Sequence, residues 1–268
     1  MKANSRNAGA TTVAVTAATP ELAPAAAELA DRLQLPLLAQ PTAGSLLLVL
    51  TPQRLELHPT ATERASPGPL WVDFLSGPLA YRRHRGGGRR QALARAVGLK
   101  GGRCPTVIDA TAGLGRDGFI LAALGCRVQL LERSPIIHAL LADGLERALA
   151  DPATAAIIQQ RLTLTLADAG QLLPTLPTPA AQVIYLDPMF PQRQKSALVK
   201  KESRLLRQIA GDDPDAEQLL TAALSRAGKR VVVKRPRQAP PLPGPPANFS
   251  LSGKSNRFDI YLSKPEPG

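Results

Sequence analysis

Aromatic residues are scarce in this chain: one Trp, three Tyr and five Phe make up 3% of 268 residues. A broad stacking platform for single-stranded nucleic acid is therefore excluded, and any base stacking falls to one or two placed rings. Cysteine is nearly absent. Cys104 and Cys126 are too few for a disulfide framework or a cysteine zinc site. The three histidines, His58, His84 and His138, are scattered without ligand spacing, so no metal site is expected. Long hydrophobic runs are missing as well. The aliphatic run 46–50 falls far short of the roughly 20 residues a membrane helix needs. The first thirty residues are rich in Ala and Thr but contain no continuous apolar stretch of the signal-peptide kind. Acidic residues are in deficit: 33 Lys and Arg face 21 Asp and Glu, a net charge of +12. That balance points to a polyanionic partner. Together these features predict a reduced, cytoplasmic protein that binds neither membrane nor metal.

What is present divides into two parts. Residues 1–90 read as a small N-terminal α+β subdomain, with an Ala-rich helix over 20–33 and short strands at 45–50 and 54–58 around Thr51-Pro52. A strand-like stretch, 70–75, follows a Pro/Gly segment. The subdomain ends in a basic, glycine-rich run from Arg82 to Arg90 that carries Arg82, Arg83, Arg85, Arg89 and Arg90 around Gly86-Gly87-Gly88. Such a run can grip a phosphate backbone; the plain alternative is a solvated linker. From Thr106 onward short apolar runs alternate with helical patterns. Strands are expected at 106–108, 127–131, 162–166, 183–186 and 231–233, and helices at 117–124, 136–149 and 217–227. This alternation predicts a mostly parallel α/β sheet. The segments 248–251 and 258–262 flank Gly253-Lys254-Ser255-Asn256 as a hairpin, so an antiparallel C-terminal strand closes the sheet.

Two motifs carry chemistry. The first is Asp109-Ala-Thr-Ala-Gly113-Leu-Gly115-Arg116-Asp117-Gly118, a G-x-G-x-x-G turn between the first buried strand and a helix. Glu132 ends the next strand, where a carboxylate can accept both hydroxyls of a ribose. An adenosine-containing cofactor is expected, either a dinucleotide or S-adenosylmethionine. Asp109 and Asp117 crowd the turn with negative charge, which repels a pyrophosphate and suits a cationic methionine ammonium and sulfonium. Asp168, after the third strand, is placed to accept from an adenine amine. Asp109 has a second reading as a structural acid holding the loop amides, and Arg116 one as a solvated helix-start residue.

The second motif is Asp187-Pro188-Met189-Phe190, at the end of the buried run Val183-Ile184-Tyr185-Leu186. The carboxyl end of such a strand is where open α/β sheets bind ligands. The Asp187 carboxylate and the Pro188 carbonyl can accept from the two N–H bonds of an exocyclic amine, and the Phe190 ring can stack on a planar base. The three are the candidate catalytic residues. A strand end followed by a proline-rich turn is the bland reading. With the tetrad present, S-adenosylmethionine is preferred over the dinucleotide.

The segments DATAGLGRDGF, LLERSP, YLDPMFPQRQKSALVKKE, KRVVVKRP and RFDIY, with GPLAYRRHRGGGRRQALARAVG, resemble the bacterial small-subunit ribosomal RNA guanine-N2 methyltransferases of the RsmJ type over roughly residues 44–263. The resemblance implies a Rossmann-like, S-adenosylmethionine-dependent methyltransferase domain over 91–268. It further implies methylation of a guanine N2 amine near the 3′ end of 16S ribosomal RNA, with that RNA or the 30S particle as partner. Carried over by motif, cofactor positions are Arg116, Asp117, Glu132, Arg133, Asp168, Ala169 and Asp187, beside Asp109, Gly113 and Gly115 from the glycine turn. The family has two small hydroxyl residues where this chain has Asp168-Ala169. Basic residues after the tetrad, Lys195, Lys200 and Lys201 with Arg193, Arg204 and Arg207, join the arginine run as candidate RNA contacts, and Lys234-Arg235-Pro236-Arg237 is a weaker one. Rival readings are an NAD-dependent oxidoreductase, an amine methyltransferase acting on DNA adenine, other RNA or protein glutamine, and a non-catalytic RNA-binding assembly factor.

Overall fold

The computed structural model describes residues 13–39, 46–59, 68–85, 87–100, 102–189, 197–211, 213–253 and 255–263. In chain order they form β1 (Val13–Ala17), α1 (Ala23–Leu33), β2 (Leu46–Leu50), β3 (Leu55–Pro59), α2 (Gly77–Arg85), α3 (Ala92–Ala96), β4 (Thr106–Asp109), α4 (Arg116–Ala123) and β5 (Arg127–Glu132). There follow α5 (Pro135–Ala150), α6 (Ala155–Arg161), β6 (Leu162–Leu166), α7 (Ala169–Leu172), β7 (Ala181–Leu186), α8 (Ala197–Ala210), α9 (Ala216–Arg226), β8 (Ala227–Pro236), β9 (Phe249–Ser252) and β10 (Asn256–Leu262). Two compact units result: the part up to Trp71 together with 193–211, and 72–192 together with 212–268.

The first unit holds a three-stranded sheet in the order β1-β2-β3. β2 and β3 are antiparallel across the Thr51-Pro52 turn, whose Thr51 Oγ1 accepts from the Arg54 N–H at 3.0 Å. β1 pairs parallel to β2. This strand has no counterpart in the sequence reading, because Ala and Thr in a five-residue segment leave little pattern to see. The stretch 70–75 contributes only the isolated bridge Leu70–Leu57 instead of a strand.

The second unit is built on a seven-stranded sheet, β6-β5-β4-β7-β8-β10-β9. β4 to β8 all pair in parallel. β10 runs antiparallel between β8 and β9. The C-terminal strand is thus inserted and β9 takes the edge. The interior strands are apolar runs with both faces covered, as parallel sheets require: Val231, Val232, Val233, Ile184 and Leu186 are all fully buried. Each such side chain removed from water contributes roughly 1.5–3 kcal/mol. The chain winds outward from β4 through β5 to β6, then returns to β7 beside β4. A crevice opens at such a reversal, outside the carboxyl ends of the strands.

The basic run is ordered differently from a mobile linker. By its contacts it belongs to the second unit, and its first half is the end of α2. Gly87 and Gly88, at φ +82° and +52°, make the turn into the short helix that follows.

Candidate functional site

Four of the parallel strands bring their carboxyl ends to the crevice, and each delivers an ionisable side chain. At the end of β4 the glycine turn bends into α4. Gly115 caps that helix with φ +69°, a conformation that disfavours a side chain. A Cβ at Gly118 would stand 2.3 Å from Leu130 Cδ2, so the third glycine lets the helix lie against β5. Beside Gly113 a Cβ would meet nothing nearer than the Thr111 carbonyl at 4.0 Å, so the turn faces open space there.

Glu132, at the end of β5, is 6% exposed. Its Oε2 accepts from the Gly113 N–H at 2.8 Å and its Oε1 from the Ser134 N–H at 2.8 Å. Burial pushes its carboxyl up, against these two N–H donors and the Arg133 charge. Ser134 then starts α5, its Oγ accepting from the Ile137 N–H with Pro135 at the first helical position. Asp168 caps α7, with Oδ1 accepting from the Gly170 N–H at 2.8 Å. Ala169 beside it is buried.

The acids at the centre of the sheet form a network around Lys234 of β8. Its Nζ donates to Asp117 Oδ2 at 2.8 Å and to Asp187 Oδ2 at 2.7 Å. Asp117 also accepts from Arg82 Nη1 at 2.7 Å and from the Tyr185 hydroxyl at 2.7 Å. Burial opposes charge on Asp117, yet Lys234 and Arg82 hold its carboxyl well below the ordinary range. Asp109 differs. It is 2% exposed and, among the described residues, has no ion-pair partner and only a 3.3 Å contact from the Thr111 N–H, so burial and the nearby Asp117 charge push it up to about 8. Its protonated form is favoured well above the usual carboxylate range.

This arrangement corrects the charge argument made from the sequence. Asp109 is pushed toward its neutral form and Asp117 is ion-paired twice, so the glycine turn does not present two bare negative charges. Acid excess lies instead on the β5 side, where Glu132, Asp168, Asp213 and Asp215 surround Arg133. Arg133 Nη1 is 3.2 Å from Asp215 Oδ2, and Nη2 donates to Asp213.

The tetrad is held at three points. The Asp187 N–H donates to Thr111 Oγ1 at 2.6 Å, its Oδ2 takes Lys234, and the Met189 N–H donates to Asp213 Oδ2 at 2.5 Å. Asp187 Oδ1 has no partner among the described residues. Pro188 is buried, and Phe190 lies outside the described residues. Thr111, Lys234 and Asp213 were not singled out for the site by the sequence. Only Lys234 carried a signal, a cation ending a fully apolar strand at the same sheet edge, and it was read as an RNA contact. Its ammonium is turned inward. Arg235 is likewise buried, at 4% exposure, with its guanidinium on the Pro240 carbonyl.

Of the candidate RNA contacts, Arg82 is bound into the acid network, with Nε also donating to Gln91 Oε1 at 2.9 Å. Arg83 donates to the Ala153 carbonyl at 3.0 Å. Arg89 is exposed, with Nη2 3.1 Å from Cys104 Sγ, and Arg90 is exposed. The side chains of Arg85, Lys200 and Lys201, and all of Lys195, lie outside the described residues. Among the described residues no cluster of three or more metal-ligating side chains occurs, and no helix is long and apolar enough to cross a membrane.

A carboxylate edge of this kind, with a glycine turn, a glutamate ending the next strand and an Asp-Pro strand end, has relatives. The family model of SAM-dependent methyltransferases matches residues 28–263. A protein of Coxiella burnetii named ribosomal RNA small subunit methyltransferase J is 52% identical over 255 residues, covering 95% of this chain and 98% of that protein. The chain belongs to this methyltransferase family. Another member of the same name, from Nitrosococcus oceani, is 55% identical over 243 residues, covering 89% and 94% of the two chains. The crystal structure of a SAM-dependent methyltransferase from Neisseria gonorrhoeae superposes with a TM-score of 0.70 at 34% identity, covering 96% of this chain and 97% of that one. The cofactor of the family is S-adenosylmethionine, and the fold is Rossmann-like. Neither the oxidoreductase reading nor the non-catalytic one agrees with this membership.

Proposed function

We propose that this protein methylates the exocyclic N2 amine of a guanine near the 3′ end of small-subunit ribosomal RNA. The relatives' name supports the RNA class, and the resemblance of the tetrad segment supports the guanine amine. The observation that carries the reading is the fixed Asp187-Pro188 strand end, with one carboxylate oxygen tied to Lys234 and the other turned to no partner of the described chain.

The residues present fit S-adenosylmethionine. The open face of Gly113 leaves room against the turn, and Glu132 is oriented there by two backbone N–H groups while each of its oxygens keeps a lone pair for a ribose hydroxyl. Asp168 and Ala169 stand beyond it for the adenine, and Asp117, Arg116 and Arg133 border the crevice. When bound, the cofactor supplies an electrophilic methyl group. The protein's own part is positioning. Asp187 Oδ1 and the Pro188 carbonyl accept from the two amine protons, which localises the nitrogen lone pair and aims it. Burial pushes the Asp187 carboxyl up, and Lys234 opposes that push by favouring the carboxylate and holding it in place. Because the amine becomes cationic as it is methylated, its proton leaves readily, and a strong base is not required. Phe190 is assigned to stacking on the base. The guanine has to be unpaired or flipped out to reach this depth, at a cost of a few kcal/mol.

The test uses purified protein, labelled S-adenosylmethionine and small subunits from cells lacking the gene, followed by nucleoside analysis. Label in N2-methylguanosine is expected, and Asp187→Ala should abolish it with cofactor binding retained. Label in another nucleoside overturns the guanine assignment.

A further inference from the structure

The opposite edge of the large sheet carries a second basic feature. At the amino ends of β4, β7 and β8 a cleft of about 410 Å³ is lined by Val97, Gly98, Lys100, Arg103, Pro105, Gln182, Val183, Lys229 and Arg230. Four of these nine are cations and none is acidic. Lys100, Arg103, Lys229 and Arg230 have no ion-pair partner among the described residues, whereas Arg82, Arg133 and Lys234 at the crevice are each matched to acids. Arg230 is half-buried and its guanidinium lies flat on Gly98, where a Cβ would come within 2.9 Å of Cζ. Its Nη1 reaches the Ala96 carbonyl at 3.2 Å. Burial lowers its pKa, so the charge sits partly out of water without an opposing one. Such a guanidinium is costly unless an anion completes it. Along the same edge Arg127 opens β5 and Arg161 ends α6, both lining a neighbouring cavity of 240 Å³.

We infer that this cleft is a second RNA site, in which Lys100, Arg103, Lys229 and Arg230 hold backbone phosphates of the same substrate RNA away from the methylated base. The inference rests on the ribosomal RNA reading above for its ligand. Arg230 and Lys234 lie on one strand, four residues or about 13 Å apart, so RNA entering the crevice is close enough to wrap onto this edge. The unmatched charge suits phosphate, which any RNA sequence offers, and the cleft thereby adds affinity without base preference.

The test is the salt dependence of binding, with small-subunit ribosomal RNA as the probe and fluorescence anisotropy as the readout. The variant is Lys100→Gln with Arg103→Gln and Lys229→Gln, all exposed; Arg230 stays because it braces Gly98. Relative to wild type, the slope of log affinity against log salt should become shallower by roughly 2, with about tenfold weaker binding at physiological salt and unchanged S-adenosylmethionine affinity. An unchanged slope overturns the inference. Inorganic phosphate is the second arm: if millimolar phosphate raises the Tm of wild type but not of the variant while the RNA slope stays put, the cleft holds a small anion and the RNA site is refuted. If the triple variant does not fold, Lys229→Glu repeats the measurement with one exposed charge reversed. Wild type that binds RNA with the expected variant effect but transfers no methyl group sinks the function reading alone; methyl transfer with an unaltered slope sinks the cleft alone.

Discussion

Removing Lys234 is the perturbation that best separates position from chemistry in the crevice. In Lys234→Met, Asp117 keeps Arg82 and the Tyr185 hydroxyl, but Asp187 loses the ammonium that its Oδ2 accepts from at 2.7 Å. At that distance the gross attraction is about 6 kcal/mol with an effective dielectric of about 20. Much of it is cancelled by returning the lysine's desolvation, and Asp187 is 39% exposed, so screening reduces it further. A net loss of about 2–3 kcal/mol is expected, less than the 3–5 kcal/mol typical of breaking a fully buried pair. The Asp187 carboxyl, already raised by burial, then rises further. The acid limb of the methyl-transfer rate should therefore move to higher pH. In the proposed mechanism the amine is held by the carboxylate form of Asp187, so activity is lost at lower pH and recovers as pH rises. Single-turnover transfer measured from pH 5 to 9 checks it, with Lys234→Arg as the charge-conserving control. A Met variant whose limb stays where wild type has it, merely scaled down in rate, would refute the role given to Lys234.

The other predictions concern the turn and the basic run. Asp109, raised to about 8, keeps its proton on folding while the unfolded chain has released it. The folded state therefore binds more protons across roughly pH 4 to 8, and stability falls with rising pH through that window. Asp109→Asn should flatten this slope in urea midpoints taken at pH 6 and 8, and parallel curves for the two proteins would contradict the assignment. Gly118→Ala places a methyl 2.3 Å from the fully buried Leu130, so about 1–3 kcal/mol of overpacking is expected in chemical denaturation. Arg82→Ala should lower stability and leave the RNA salt slope unchanged, because that guanidinium is spent on Asp117 and Gln91. Arg89→Ala with Arg90→Ala should instead make the slope shallower.

Local pattern was enough to locate the parallel strands: a segment covered on both faces, such as 183–186 in β7, is apolar throughout, and the edge strand β6 alternates Leu with Thr. The glycine turn, Glu132 and Asp187-Pro188 were legible for a related reason: each sits next to a strand end, and strand ends of a parallel sheet meet at one edge. The strand Val13–Ala17 escaped notice, since its identity comes from pairing with β2 and not from its own residues. Charge was read least well. From sequence, Arg82 and Lys234 look like solvated cations and Asp109 like a carboxylate. Which cation reaches which acid depends on segments 35 and 117 residues apart being folded together. Only the tertiary structure decided that Lys234 faces Asp117 and Asp187, that Asp109 is left without a cation and keeps its proton, and that the unmatched positive charge collects at the far edge of the sheet. Sequence by itself determined the fold class and the residues at the strand ends, because those follow from hydrophobic burial and backbone geometry, which act over a few residues; the family came from the resemblance of its motifs. Electrostatic state depends on distance and desolvation in three dimensions, and no local pattern encodes it.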